Sequence, residues 1–265
     1  MLCRTLSIFV VAVVGSPKHE TWLLTVEGAD RAIVGLSLRT GMSFPESDNA
    51  VVVANVTGRL VRPDGAREAL LRFRADADTK ATAHDLGALS SGVVVATCDT
   101  APQLLALDAR KFNDYLLHEG LPKVLAARMD THEEGRDATE RYRKCAKVVF
   151  RTGAGKGRFA EPVGQALEIV PLEDPTLIEP RRTLRTLVLF AGEPLAGALL
   201  GWDLPGNGED IAGSTWTNDA GEALVPIAQP GWMTLRLVHM TRPQVETHEY
   251  ESYWASCSFV VPGAR

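Results

Sequence analysis

Two strand-like runs near the end of the chain, residues 232–240 (WMTLRLVHM) and 251–261 (ESYWASCSFVV), constrain its fold most strongly. They mix β-branched, aromatic and apolar residues at strand length and flank a short polar gap, so they read as a closing β-hairpin. The pattern extends backwards. Residues 183–190, 196–202, 214–217 and 222–226 have the same texture, and Asn218-Asp219-Ala220-Gly221 is a tight-turn signal between two of them. Six or seven strands at this spacing describe a small β-sandwich.

Earlier residues also read as short strands, over 22–26, 32–38, 50–60, 69–74 and 92–96, separated by Gly and Pro clusters. In Pro63-Asp64-Gly65 the proline sets φ at one corner and the glycine supplies the open conformation at the end. The texture changes over 108–128. Phe112, Tyr115, Leu116, Leu121, Val124 and Leu125 fall at helical spacing, broken at Gly120-Leu121-Pro122, which predicts two short helices with Pro122 in the first turn of the second. Residues 131–147 are highly charged, with Glu140 and Lys144 placed for an i,i+4 pair, and 145–151 reads as a strand. The Gly-rich stretch 153–166 is a candidate boundary. Its Gly153-Ala154-Gly155-Lys156-Gly157 is not a phosphate loop, because Phe150 stands at the required first Gly and Gly157 replaces the magnesium-binding Ser or Thr. The expected fold is mainly β: a β-rich domain over 16–152 with short helices between about 108 and 144, then a β-sandwich domain over 165–265.

Leu6 to Gly15 is a ten-residue apolar run behind Arg4. It is too short to span a bilayer and has the length of a signal h-region, with small residues suited to cleavage near 15. The alternative is a buried first strand. Residues 1–15 are taken as a signal peptide, which implies a periplasmic protein with no stable membrane insertion after processing. Cys3 would leave with the signal, so Cys98, Cys145 and Cys257 allow at most one disulfide. A formal net charge of −5 without a basic block argues against a nucleic-acid partner.

Several collinear motifs carry a family likeness: His19-Glu20-Thr21-Trp22-Leu23, Phe112-Asn113-Asp114-Tyr115-Leu116 with Glu119-Gly120-Leu121, Glu140-Arg141-Tyr142-Arg143-Lys144, Val163-Gly164-Gln165-Ala166-Leu167-Glu168-Ile169-Val170-Pro171, and the closing hairpin. Through them the chain resembles a bacterial domain-of-unknown-function family whose members are described as the periplasmic component of a cobalt or nickel transport system. The resemblance implies an immunoglobulin- or transthyretin-like C-terminal sandwich, a nickel or cobalt ion as cargo, and a membrane transporter component as partner. Family members usually place Ala before the first His. Here Pro17-Lys18 precede His19, which puts an N-terminal amine-plus-imidazole chelate in doubt.

Nickel and cobalt accept imidazole nitrogens completed by carboxylate, amine or water. No HxH or HExxH pair occurs among the six histidines, so a site must be assembled from distant segments. His19 opens the first strand and His239 closes a later one; Glu20, His248, Glu249 and Glu251 are the completing candidates. The plain alternatives are a satisfied strand-end histidine for His239 and a solvated loop for His248 and Glu249. Trp22, Trp232, Tyr253 and Trp254 are either core or an aromatic pocket for a chelator or sugar. No GxSxG elbow, local Cys–His pair or distinct acid–base carboxylate pair is present, which points away from an enzyme. Two rival readings remain: a non-metal envelope-interaction or glycan-binding module, and a copper enzyme using an N-terminal histidine brace.

Overall fold

The computed structural model describes residues 19–243 and 247–263. The expected signal peptide and Cys3 lie outside the described residues. The fold is mainly β and is built in layers. A central sheet has the strand order β14 (Gly213–Trp216), β13 (Leu199–Asp203), β16 (Gly231–Thr241), β17 (Tyr250–Val261), β9 (Ala138–Thr152), β7 (Gly92–Thr100), β3 (Val56–Val61) and β4 (Arg67–Leu70). A ninth strand, β8 (Gln103–Leu107), pairs with the first part of β9, and β7 takes over along the second part. The closing hairpin is present: β16 and β17 pair antiparallel over their whole length. β17 then pairs parallel with β9, so that Tyr250 faces Glu140 and Ser258 faces Val148.

A small antiparallel sheet, in the order β1 (Glu20–Glu27), β2 (Ile33–Gly41), β6 (Ala81–Asp85) and β5 (Phe73–Asp76), covers one face of the central sheet. Helices α1 (Ala109–His118) and α2 (Pro122–Asp130) share that face. The opposite face packs on β10 (Leu167–Pro171), β11 (Thr183–Phe190), β12 (Glu193–Pro194) and β15 (Glu222–Pro226).

Side-chain alternation sorts residues between the two faces. On β7, Val93 and Val95 join the sandwich core with Leu184, Val188 and Phe259. Val94, Ala96 and Cys98 turn the other way, against Leu23, Leu36 and Leu38. A strand covered on both faces has no solvated side, which explains the nearly unbroken burial of β7 and β17. On α1 the helical spacing of Phe112, Tyr115 and Leu116 gives one apolar stripe, set against Val238, Met240, Tyr250 and Trp254. Each such large apolar side chain contributes about 1.5–3 kcal/mol on full burial.

Two sequence readings change. Residues 138–144 are strand, not helix, so Glu140 and Lys144 are not an i,i+4 pair; strand alternation places both on the helix-covered face. The region read as one strand over 69–74 is split into β4 and β5, which belong to different sheets. The glycine-rich crossover after β9 is pinned at its far end. Glu168 accepts hydrogen bonds from the backbone N–H groups of Val163, Gly164 and Gln165 and from Lys147 Nζ at 2.7 Å. The proposed 152/165 boundary falls within this crossover, while hydrogen bonding between β9 and β17 joins the segments on either side of it.

Candidate functional site

A polar island interrupts the apolar layer between the central sheet, β1 and the α1–α2 turn. Its centre is Arg236. On β16 the residues of opposite parity, Met233, Leu235 and Leu237, enter the sandwich core, so Arg236 points to the β1 side. A guanidinium buried there requires acceptors. Three elements supply them. Nη1 lies 2.7 Å from Glu20 Oε1, on the first residue of β1, and 3.3 Å from Glu119 Oε2. Nε lies 2.9 Å from Asp203 Oδ2, at the end of β13.

Glu119 is positioned by the way α1 ends. Gly120 N–H bonds Leu117 O and Leu121 N–H bonds Leu116 O, the double closure of a Schellman motif with Glu119 as the cap residue. Gly120 has φ +68°, and a Cβ there would lie 2.3 Å from Leu199 Cδ2, so glycine is required on two counts.

These side chains, with Trp22, Met42, His118, Gly208 and Glu209, line a cavity. The space open to the centre of a water molecule is about 20 Å3, room for roughly one or two waters. His118 Nε2 stands 3.7 Å from Glu119 Oε1. Trp22 packs edge-on against Phe44 at 5.5 Å, and its Nε1 donates to Pro45 O.

The island holds more acid than base. Glu20, Glu119, Asp203 and Glu140 face Arg236 and Lys144. Burial, reinforced by the charge of Glu20, pushes the Glu119 carboxyl up to about 8. Burial likewise raises Asp203 to about 6 and Glu140 to about 7. It lowers the Lys144 ammonium, against the pull of Glu20, Glu119 and Glu140. Burial alone would lower Arg236 too, but Glu20, Asp203 and Glu119 outweigh it and hold the guanidinium above its ordinary value. Lys144 Nζ also donates to His19 O, tying the start of β1 to β9.

The sequence candidates are dispersed. Glu20 belongs to the island. His19 Nε2 pairs with Asp48 Oδ2 at 3.3 Å. His239 has the opposite parity from Arg236 on β16, so it faces the sandwich side, where its ring lies 4.4 Å from that of Phe190. The sheet therefore separates the His239 side chain from Glu20. His248 and Glu251 meet, Nε2 to Oε1 at 3.2 Å, and Glu251 also takes Arg141 and the Tyr253 hydroxyl. Glu249 accepts from Thr139 N–H. Trp254 stacks on Tyr115 at 5.7 Å, and Tyr253 meets Phe190 edge-on at 4.9 Å. Among the described residues no three His, Cys, Asp or Glu side chains converge as ready-made metal ligands; at the island, three carboxylates converge on Arg236.

Sequence reasoning passed over Glu119, Asp203 and Arg236. One signal was available. Arg236 interrupts the apolar run 233–240, and a charge in a doubly covered strand demands buried partners.

Among the described residues no helix is long and apolar enough to cross a membrane. No curated protein matches the chain. A solved structure, the tetra-tandem repeat in the extending region of a large adhesion protein, is 13% identical with a TM-score of 0.20, covering 91% of this chain and 50% of that one. This chain thus spans half the length of that structure, and a likeness at this score says nothing about function. The family comparison is decisive where the structural one is not: residues 19–241 match the family described as "Domain of unknown function (DUF4198)", and the chain belongs to it.

Proposed function

We propose that the protein is a non-enzymatic periplasmic binding or accessory protein for nickel or cobalt uptake. It captures the ion with carboxylate and imidazole groups and passes it to a membrane transporter component. The observation that supports this reading is the small cavity whose walls hold Glu20, Glu119 and Asp203 with His118 beside them. Of these donors the His118 imidazole is the one that suits nickel or cobalt, while the carboxylates suit hard divalent ions in general. This shifts the ligand set from His19 and His239 to the Arg236 island and keeps Glu20.

Calorimetric titration of nickel and cobalt chloride into the processed protein tests the proposal. The expected result is a dissociation constant below about 10 μM, weakened roughly tenfold or more by Glu119→Gln or Asp203→Asn and left unchanged by His239→Ala. No binding tighter than about 10 μM by the wild type sinks it.

A second reading, an envelope-interaction or glycan-binding module, is favoured by Trp216 and Leu224. Both are exposed, on β14 and β15. Under that reading Trp216→Ala abolishes attachment to envelope material while Glu119→Gln leaves it intact.

A further inference from the structure

The sandwich side of the central sheet is not covered to its end. Strand alternation puts Arg141 and Arg143 of β9, Glu251 and Tyr253 of β17 and His239 of β16 on that side, in line with the core residues Cys145, Ala255 and Leu237. Phe190, the last residue of β11, stands at the edge of the cover, its ring 4.4 Å from that of His239 and 4.9 Å from that of Tyr253. Beyond it the side chain of Arg141 is 40% exposed, and Leu104 of β8, its register partner, is 63% exposed.

Across this open end the register sets His239, Tyr253 and Arg143 side by side on three adjacent strands. The Arg143 guanidinium lies over the Tyr253 ring, 5.3 Å from its centroid. Stacking of this kind orients the guanidinium and uses none of its N–H donors. Among the described residues no carboxylate or carbonyl takes those donors, and the His239 ring nitrogens have no hydrogen-bond partner. Arg141 differs: Glu251 holds it at 3.1 Å, and the same carboxylate takes the Tyr253 hydroxyl and His248. One oriented, uncompensated cation is therefore left on the open face of a chain whose formal net charge is −5. We propose that this face docks an acidic peptide segment of a protein partner, with Arg143 as the principal carboxylate receptor and His239 as a second donor. The proposal goes beyond the metal-binding reading and does not depend on it.

Three features select the occupant. Arg143 and His239 stand two strand spacings apart, about 10 Å. One carboxylate or phosphate group cannot bridge that distance, so a ligand that engages both carries its acidic groups along a chain. Leu104 adds an exposed apolar contact next to Arg141, which suits a chain that mixes carboxylates with apolar side chains. An acidic sugar polymer gains most of its contact by stacking on an open ring face, and the Tyr253 ring is already engaged by Arg143 and Phe190.

Fluorescence polarisation of a fluorescein-labelled peptide of alternating Glu and Leu, titrated with the processed protein in the presence of a chelator, tests the proposal. The expected dissociation constant at low salt is below about 100 μM, weakened roughly tenfold or more by Arg143→Gln. His239→Ala should weaken it about threefold. Arg143→Lys keeps the charge and loses the fork, so it should fall between wild type and Arg143→Gln; it also decides the matter if Arg143→Gln does not fold. Arg185→Gln removes an equal charge from an exposed arginine of β11 that pairs with Glu222, and should leave the affinity within about twofold. The matching peptide of Gln and Leu should not bind. Wild-type binding weaker than about 1 mM, equal losses in Arg143→Gln and Arg185→Gln, or tighter binding of oligogalacturonate than of the peptide overturns the proposal, whatever the outcome with nickel.

Discussion

Glu140 lies beneath α1 with one oxygen engaged by Tyr115 and Ser252, while its Oε2 is buried without a partner. Burial holds its carboxyl near 7, above an ordinary 4.5. A folded-state value above the unfolded one means that the native protein binds the proton more tightly. The stabilising contribution is then fully present below about 4.5 and is lost as pH rises through about 7. Urea unfolding at pH 5 and pH 8 is therefore expected to show a loss of stability on the alkaline side, and Glu140→Gln should reduce that loss. An unchanged difference in the variant would refute the assignment. Glu168 shows the opposite situation, a carboxylate with every oxygen used. It and Lys147 are 2% and 1% exposed, and three backbone N–H groups converge on it. Glu168→Ala strands a buried ammonium and three donors, and should cost about 3–5 kcal/mol in denaturant unfolding. Neither role was legible in the sequence. A Glu in a charged run and a Glu in an apolar run are read from their neighbours along the chain, whereas their side-chain partners here come from α1, β17 and β9.

At the scale of elements, the turn between α1 and α2 couples helix capping to the candidate site. Gly120→Ala forces a left-handed residue to carry a Cβ against Leu199. It is expected to destabilise the fold by about 1–3 kcal/mol, measured by chemical denaturation, and to weaken nickel binding because Glu119 shifts with the turn. Unaltered nickel affinity in a destabilised Gly120→Ala would separate the turn from the site. Helix breaks and caps were legible: Gly120-Leu121-Pro122 marks the junction because glycine and proline act locally. The closing hairpin was legible for the same reason, since its alternation and length are local properties. The first half of β9 was not. Its alternate residues Glu140 and Lys144 are spaced as a helical pair would be, and only the elements packed against them decide that the spacing is read along a strand. The expected pairing of His239 with Glu20 is not formed, for a similar reason. His239 and Arg236 sit three residues apart on β16, a short distance in sequence but on opposite faces of a strand.

At the scale of the whole molecule, the central sheet sets the unit of stability. Strands from the two sides of the 153–166 crossover form the two halves of that sheet and meet at its middle, where β17 pairs with β9. Thermal or urea unfolding is expected to give a single transition by near- and far-ultraviolet circular dichroism alike. A fragment spanning 19–160 should fail to give a dispersed NMR spectrum, because β9 loses its β17 neighbour. Two separated transitions, or a folded fragment, would show that the segments stand alone. The parallel pairing of β17 with β9 has a further consequence for how the chain reaches this state. Residues near 140 must wait for residues near 250 before their sheet is complete, so the ribosome has to deliver more than a hundred intervening residues first. During that interval β9 presents an open hydrogen-bonding edge in the centre of the future sheet. Search over so long a chain separation is slow, and an open edge is a template for pairing with a neighbouring nascent chain. Synthesis of this protein is thus a race between its own late strand and a stranger's.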